Sequence, residues 1–274
     1  VIIMDIELTK KFERDIIKKY RGGLWTKFIK GLKKYNMIEE GDKVAIAMSG
    51  GKDSLLMAKL FQELKKHPLF DFEIEFISMD PGFNQENLEL HFKNAEMLGV
   101  PLNIEKYDVF KIVDKIAQDY PCYMCARLRR GFLYSQAQEK GCNKLALGHH
   151  FDDVIETTMM NILYAGTVKT MLPKLKSVNF ENLTLIRPMY LIKEADIQQI
   201  MKTNNIETMD CGCELTGCNT ASKRYQTKLL IKKLKESNQD IDKSIFRAAE
   251  NVNLDSIYRY IKDGKEHTFY DDWE

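Results

Sequence analysis

AMSGGKDSLL, residues 47–56, places two glycines, a lysine, an aspartate and a serine directly after the apolar run Val44-Ala45-Ile46. The apolar run predicts a strand at 43–48, and the following LLMAKLFQELKK predicts a helix at 53–65, so the polar residues fall in the turn between them. Glycines let a backbone approach an anion closely. A helix amino terminus adds a favourable dipole there, and Lys52 adds a full charge. The stretch is not GxxxxGK[ST], because Asp53 follows the lysine. GxGxxG is also absent. An aspartate beside phosphates repels them unless a cation lies between. Asp53 is therefore expected to help hold Mg²⁺ on a polyphosphate, with simple capping of the helix as the alternative.

Outward from that turn, strands are expected at 72–79, 102–107, 143–148 and 183–187. Helices are expected at 85–98, 126–140, 152–164 and 194–204. Strands alternating with helices imply βαβ units and an α/β fold with a parallel five-stranded sheet. Residues 5–36 read as helix with a break at Gly22-Gly23, and 219–262 read as helices only. The expected segments are a basic helical extension at 1–40, a nucleotide-binding domain at 41–218 and a helical segment at 219–274.

A second segment, LALGHHFDDVIETTMMNILY at 145–164, reads as strand, turn and helix. Gly148, His149 and His150 close the strand; Asp152, Asp153 and Glu156 open the helix. First-turn acids favour a helix dipole, but two histidines with three acids exceed what capping needs. In open α/β sheets the carboxyl edge of the strands is where ligands bind. Asp153 and His149 lead this group as candidates, and spacing does not divide metal, ribose and substrate roles among its members.

The 274 residues are 44% hydrophobic and 30% charged, as in a soluble globular protein. No apolar run approaches membrane-helix length, and VIIMDIELTKKF does not read as a signal peptide. A cytoplasmic protein without a membrane partner is expected. Net charge is only +1. Residues 10–34, however, hold eight lysines and two arginines against Glu13 and Asp15, a local surplus of eight. That stretch, with Lys18, Lys19 and Arg21, is either a solvated face or a polyanion site. The six cysteines fall at Cys122-x-x-Cys125, at Cys211, Cys213 and Cys218, and alone at Cys142. Reduced thiols on a metal are favoured over disulfides; structural zinc and a redox dithiol both fit the spacing. Cys142 reads as an inert buried thiol. Arg127, Arg129 and Arg130 follow the CxxC on a helix, as phosphate ligands or as solvated surface; Lys223, Arg224 and Lys228 read the same two ways.

Strand–SGGKDS–helix resembles the PP-loop ATP pyrophosphatases, and GHHxDDxxET resembles the second motif of their tRNA-modifying members. With PCYMCARLRRGFLY and IRPMYLIKE, the match over about residues 37–225 resembles the tRNA-cytidine 2-sulfurtransferase (2-thiocytidine synthetase) family. The resemblance implies a Rossmann-like, adenine nucleotide alpha hydrolase fold. It implies replacement of the C2 oxygen of a cytidine in a tRNA anticodon loop by sulfur, using ATP, Mg²⁺ and a [4Fe–4S] cluster. The implied nucleotide site is Ser49, Gly50, Gly51, Lys52, Asp53, Ser54, Gly148, His149 and Asp152, with Lys52, Asp53 and Asp153 catalytic. Three cysteines would hold the cluster: Cys122, Cys125 and a third, Cys213 preferred, with Cys211 and Cys218 as alternatives. The tRNA would lie on Lys18, Lys19, Arg21 and Arg127–Arg130. A sulfur donor, either sulfide or a cysteine desulfurase system, is implied, and a homodimer is left open. Two rivals are a lysidine-forming ligase, which has no need of the cysteines, and a non-catalytic, zinc-stabilised RNA-binding protein.

Overall fold

The computed structural model describes residues 6–116, 121–209 and 222–271. Its organising feature is a six-stranded sheet built from β1 (Lys43–Met48), β2 (Glu73–Asp80), β3 (Ile104–Lys106), β4 (Lys144–Ala146), β5 (Lys174–Lys176) and β6 (Thr184–Ile186), ordered β3-β2-β1-β4-β6-β5. The five expected strands run parallel. The sixth, β5, is an antiparallel edge strand paired with β6 that the sequence reading missed. β1 is buried from Val44 to Met48, as a strand covered on both faces must be. Around it pack Ala45, Ala47, Ile77, Leu145, Leu147, Leu183 and Leu185.

Helices α1 (Ile6–Arg14) and α2 (Trp25–Lys34) precede the sheet, joined by a π-helical stretch and the Gly22-Gly23 break. Phe12, Ile16, Leu24, Phe28 and Leu32 are buried. Phe28 meets Phe61 edge-on at 5.5 Å, on α3 (Lys52–Lys66). Lys59, 1% exposed, gives its ammonium to Glu13 Oε1 at 2.8 Å and to the Leu98 carbonyl at 2.8 Å, so a paired buried charge anchors α1. Then come α4 (Gln85–Met97), α5 (Val109–Ile116), α6 (Pro121–Glu139), α7 (Phe151–Ala165) and α8 (Glu194–Thr203). The short α5 is an addition to the expected set, and α6 begins ahead of its expected start at 126.

By packing, the chain divides into two units. One unit draws on the residues up to Asp153 and from Leu172 to Met209; the other draws on Val154–Met171 and the residues from Ser222 onward. The first two helices thus belong with the sheet. The second unit contains α9 (Lys223–Ser237), α10 (Ile241–Ala248) and an antiparallel hairpin of β7 (Arg259–Lys262) and β8 (Lys265–Thr268). The expectation of helices only over 219–262 is corrected there. Asp263 and Gly264, at φ 51° and 74°, form the tight turn that closes a two-residue hairpin. Among the described residues no helix is long and apolar enough to cross a membrane.

Candidate active site

β1 lies between β2 and β4, and the chain leaves it toward opposite sides of the sheet. The carboxyl ends of β1 and β4 therefore flank the switch point where such sheets bind ligands. Both sequence motifs arrive there. Gly50 takes φ +81°, which glycine alone adopts without strain. A Cβ on it would stand 2.2 Å from His91 Nδ1 and 2.3 Å from Met209 Sδ. Gly51 is the N-cap of α3 and offers no side-chain cap. Ser54 Oγ instead ties the turn internally: it donates to the Gly51 carbonyl at 2.9 Å and accepts from Ser49 N at 3.2 Å. The result is a rigid loop beside the positive end of a fifteen-residue helix.

Lys52 Nζ lies 3.2 Å from both Asp53 Oδ2 and Glu194 Oε1. Burial works against the Lys52 ammonium, but the two carboxylates outweigh it and raise its pKa. Asp53 responds differently. Burial pushes its carboxyl up, helped by Asp153, and Lys52 and His150 only partly offset the push. Asp53 Oδ1 is buried and accepts no hydrogen bond among the described residues. A lysine, a nearby histidine and burial thus leave one acceptor unmet, which suits a hard cation better than another hydrogen-bond donor.

The second motif meets the first through backbone contact. A Cβ at Gly148 would touch the Asp53 carbonyl carbon and Ser54 N at 3.3 Å. His150, buried, accepts from Asp153 N at its Nδ1 (3.4 Å), while Asp153 Oδ2 accepts from His150 N at 3.0 Å. With Nδ1 accepting, a ring proton falls on Nε2, 3.9 Å from Asp53 Oδ1 and beyond hydrogen-bond reach. Asp152 Oδ2 accepts from Glu194 N at 2.7 Å, so it caps α8. His149 is half-buried beside them.

Two residues at this edge, Glu194 and His91, were not singled out in the sequence, and His150 was not separated from His149. Glu194 closes the motif IRPMYLIKE, but the sequence assigned it no site role. His150 was read as one of a pair, and only its capping geometry separates it from His149. His91 lies mid-helix in α4, 1% exposed. Ser78 Oγ donates to the Met48 carbonyl at 2.9 Å, so it accepts from His91 Nε2 at 3.3 Å, and Nδ1, beneath Gly50, makes no hydrogen bond among the described residues. Burial pushes His91 down to about 4, partly opposed by Asp80, so the ring is neutral at physiological pH.

A family model for the PP-loop domain matches residues 24–210. A tRNA-cytidine(32) 2-sulfurtransferase from Syntrophotalea carbinolica is 36% identical, over 81% of this chain and 86% of its own length. Another, from Geotalea uraniireducens, is 37% identical over 80% and 86%. The chain belongs to the tRNA-cytidine(32) 2-sulfurtransferase family. Among solved structures, the U34-tRNA thiolase NcsA from Methanococcus maripaludis, with its [4Fe–4S] cluster, superimposes with a TM-score of 0.68 at 25% identity, covering 84% of this chain and 78% of the thiolase.

The remaining sequence candidates fall as follows. Positions 122 and 125 lie one helical turn apart at the start of α6. Cys125 is half-buried against Met79, Val109 and Val113, near the carboxyl end of β2. The Cys122 side chain, and Cys211, Cys213 and Cys218 entirely, lie outside the described residues. Among the described residues no group of three histidine, cysteine or acidic side chains is placed to hold a metal. Cys142 is buried, and burial pushes its thiol up to about 11, so it is an unreactive core thiol. Arg127 and Arg130 are exposed and Arg129 half-buried; Lys18, Lys19 and Arg21 are exposed. In the second unit Glu156 is buried and takes an ion pair from Arg224 at 3.4 Å.

Proposed function

We propose that this sulfurtransferase thiolates cytidine 32 of a tRNA anticodon loop in two steps, adenylation of the base and then sulfur transfer. The observation that carries the reading is the unmet Asp53 carboxylate oxygen beside a glycine-rich turn and a helix amino terminus, at the switch point of the sheet. A glycine-rich turn with a half-buried acid fits a polyphosphate that arrives with a cation. ATP would lie over Ser49–Ser54, with the uncapped first amides of α3 and Lys52 facing the charge that develops on the leaving pyrophosphate. The cytidine O2 attacks the α-phosphorus and the α–β phosphoanhydride bond breaks, leaving an adenylated base. A sulfur nucleophile then adds at C2, and AMP departs with the former carbonyl oxygen.

Asp53 would hold Mg²⁺, which offsets charge on the polyphosphate, and Lys52 Nζ, 3.2 Å from Asp53 Oδ2, leaves Oδ1 of the same carboxylate for the cation. Glu194 holds Lys52 at the turn, and Asp152 holds Glu194 by capping its helix. Cys122, Cys125 and one thiol of the 211–218 group would hold a [4Fe–4S] cluster. The fit rests on Cys125, a soft donor sheltered by apolar neighbours near the carboxyl edge. When bound, that cluster supplies sulfide to the activated carbon. A lysidine-forming reaction has no use for these thiols. The exposed lysines of α1, α2 and their connection fit the tRNA backbone, since their apolar face is occupied by the core.

The test combines the protein, purified without air, with ATP, tRNA and sulfide. AMP and pyrophosphate should form, and nucleoside mass spectrometry should show 2-thiocytidine at position 32. ADP and orthophosphate as products would overturn the adenylation step; a colourless protein with one zinc and no pyrophosphate release would overturn the enzyme reading.

A further inference from the structure

The β7–β8 hairpin has two chemically different faces. Its pairing sets Tyr260 opposite His267 and Lys262 opposite Lys265. The Phe269 amide bonds the Tyr258 carbonyl, which extends the same face by one pair. That face therefore carries Tyr258, Tyr260, His267 and Phe269 in one row, with Lys262 and Lys265 at its end. None of the six is acidic. Tyr260 and His267 stack at 4.9 Å with planes 12° apart, and Tyr258 and Phe269 meet at 5.2 Å. Tyr258 is 70% exposed. The opposite face is charge-balanced: Arg259 pairs Glu266 at 3.1 Å, flanked by Ile261 and Thr268.

We propose that the ring-and-lysine face of this hairpin binds unpaired nucleotides of the tRNA substrate, a second RNA contact separate from the basic amino-terminal helices. The proposal rests on the tRNA-thiolation reading. Two features favour RNA over a protein partner. Protein interface cores are depleted of lysine, whereas single-strand binding surfaces set cations beside ring faces, the cations for backbone phosphates and the rings for stacked bases. The rings here are also pre-aligned by cross-strand pairing, so little side-chain freedom remains to be lost on stacking. A base that must leave its stack to be modified exposes loop nucleotides of the kind such a face accepts.

The test uses the full chain and fluorescence anisotropy with a labelled tRNA, a single-stranded oligonucleotide and an RNA duplex. Tyr258→Ala, at an exposed site, and the pair Tyr258→Ala/Tyr260→Ala should each weaken single-strand and tRNA binding, the pair by roughly tenfold. Neither should change the salt slope, and duplex binding should stay as in wild type. Lys262→Gln/Lys265→Gln should lower the log–log salt slope by roughly 1 to 2. If wild type binds tRNA and all three variants match it, the face does not bind RNA and the thiolation reading stands. If RNA affinity is unchanged but sedimentation shows a smaller assembly, the face joins copies of the chain, and the proposal is overturned. If wild type itself binds no tRNA, both readings fall.

Discussion

Gly50→Ala tests whether the glycine-rich turn after β1 is as tightly specified as its geometry requires. An L-residue at φ +81° costs roughly 1–2 kcal/mol against glycine. The new methyl also meets two neighbours. Met209 Sδ, at 2.3 Å, ends a flexible side chain and can move aside. His91 Nδ1, at 2.2 Å, belongs to a ring 1% exposed and bonded through Nε2 to Ser78, so it cannot move without breaking that bond. Overpacking of this kind costs typically about 1–3 kcal/mol, so the total is roughly 2–5 kcal/mol against a stability of about 5–15 for a typical protein. Urea unfolding followed by circular dichroism should show the loss, and ATP affinity should fall with it. In the background of His91→Ala the same substitution should cost less by about 1 kcal/mol or more, because the clash is removed and only the backbone term remains. A Gly50→Ala protein within 0.5 kcal/mol of wild type that still binds ATP would refute this account of the turn. Strictly additive costs in the double mutant would refute the role given to His91.

Asp53→Asn should abolish pyrophosphate release yet stabilise the ligand-free protein. Burial raises the folded carboxyl above its ordinary value of 3.8, so its ionisation costs stability. The gain of the variant should therefore grow as pH rises above about 3.8 and level off once the native carboxyl is ionised, as denaturation across pH will show. Lys52→Ala should likewise remove pyrophosphate release. Cys122→Ser or Cys125→Ser should remove brown absorbance and bound iron; Cys142→Ser should keep both. The native Cys142 thiol, held near 11, should resist iodoacetamide at pH 8 until the chain is unfolded. Reversing Lys18, Lys19 and Arg21 to glutamate should weaken tRNA binding and flatten its salt dependence by roughly 0.7–0.9 per lost phosphate contact, with ATP affinity unchanged.

The parallel core was legible because β1 and its partners are apolar runs bounded by turns, and because SGGKDS and GHHFDD each fall between a strand and a helix. Leu24, Phe28 and Leu32 recur at helical spacing and are buried as that spacing requires. β5 was not legible. Lys174-Leu175-Lys176 has no apolar pattern, and only pairing with β6 makes it a strand. The hairpin is a different kind of miss. Asp263-Gly264 between alternating residues is a strong hairpin signal, and the reading ran helix across it. At the site, spacing named the turn and the acids. It could not say that Asp152 caps α8, that His150 faces Asp53, or that Glu194 comes from a distant helix to hold Lys52. Those are tertiary facts, fixed by how the β1, β4 and β6 ends converge.

Both outer strands of the sheet are three residues long, Ile104-Glu105-Lys106 at one margin and Lys174-Leu175-Lys176 at the other. An uncovered margin is a template on which a second chain can extend a sheet, and long flat apolar margins seed fibrils. Here each offers few free amides and carbonyls, and each presents charge to an incoming strand. The antiparallel turn-back of β5 places two lysines where β6, with its Leu185-Ile186, would otherwise form the sheet's margin. The strand that the sequence concealed thus shields a sticky one. Replacing Lys174 and Lys176 with valine is the change that would turn this margin into a polymerisation edge.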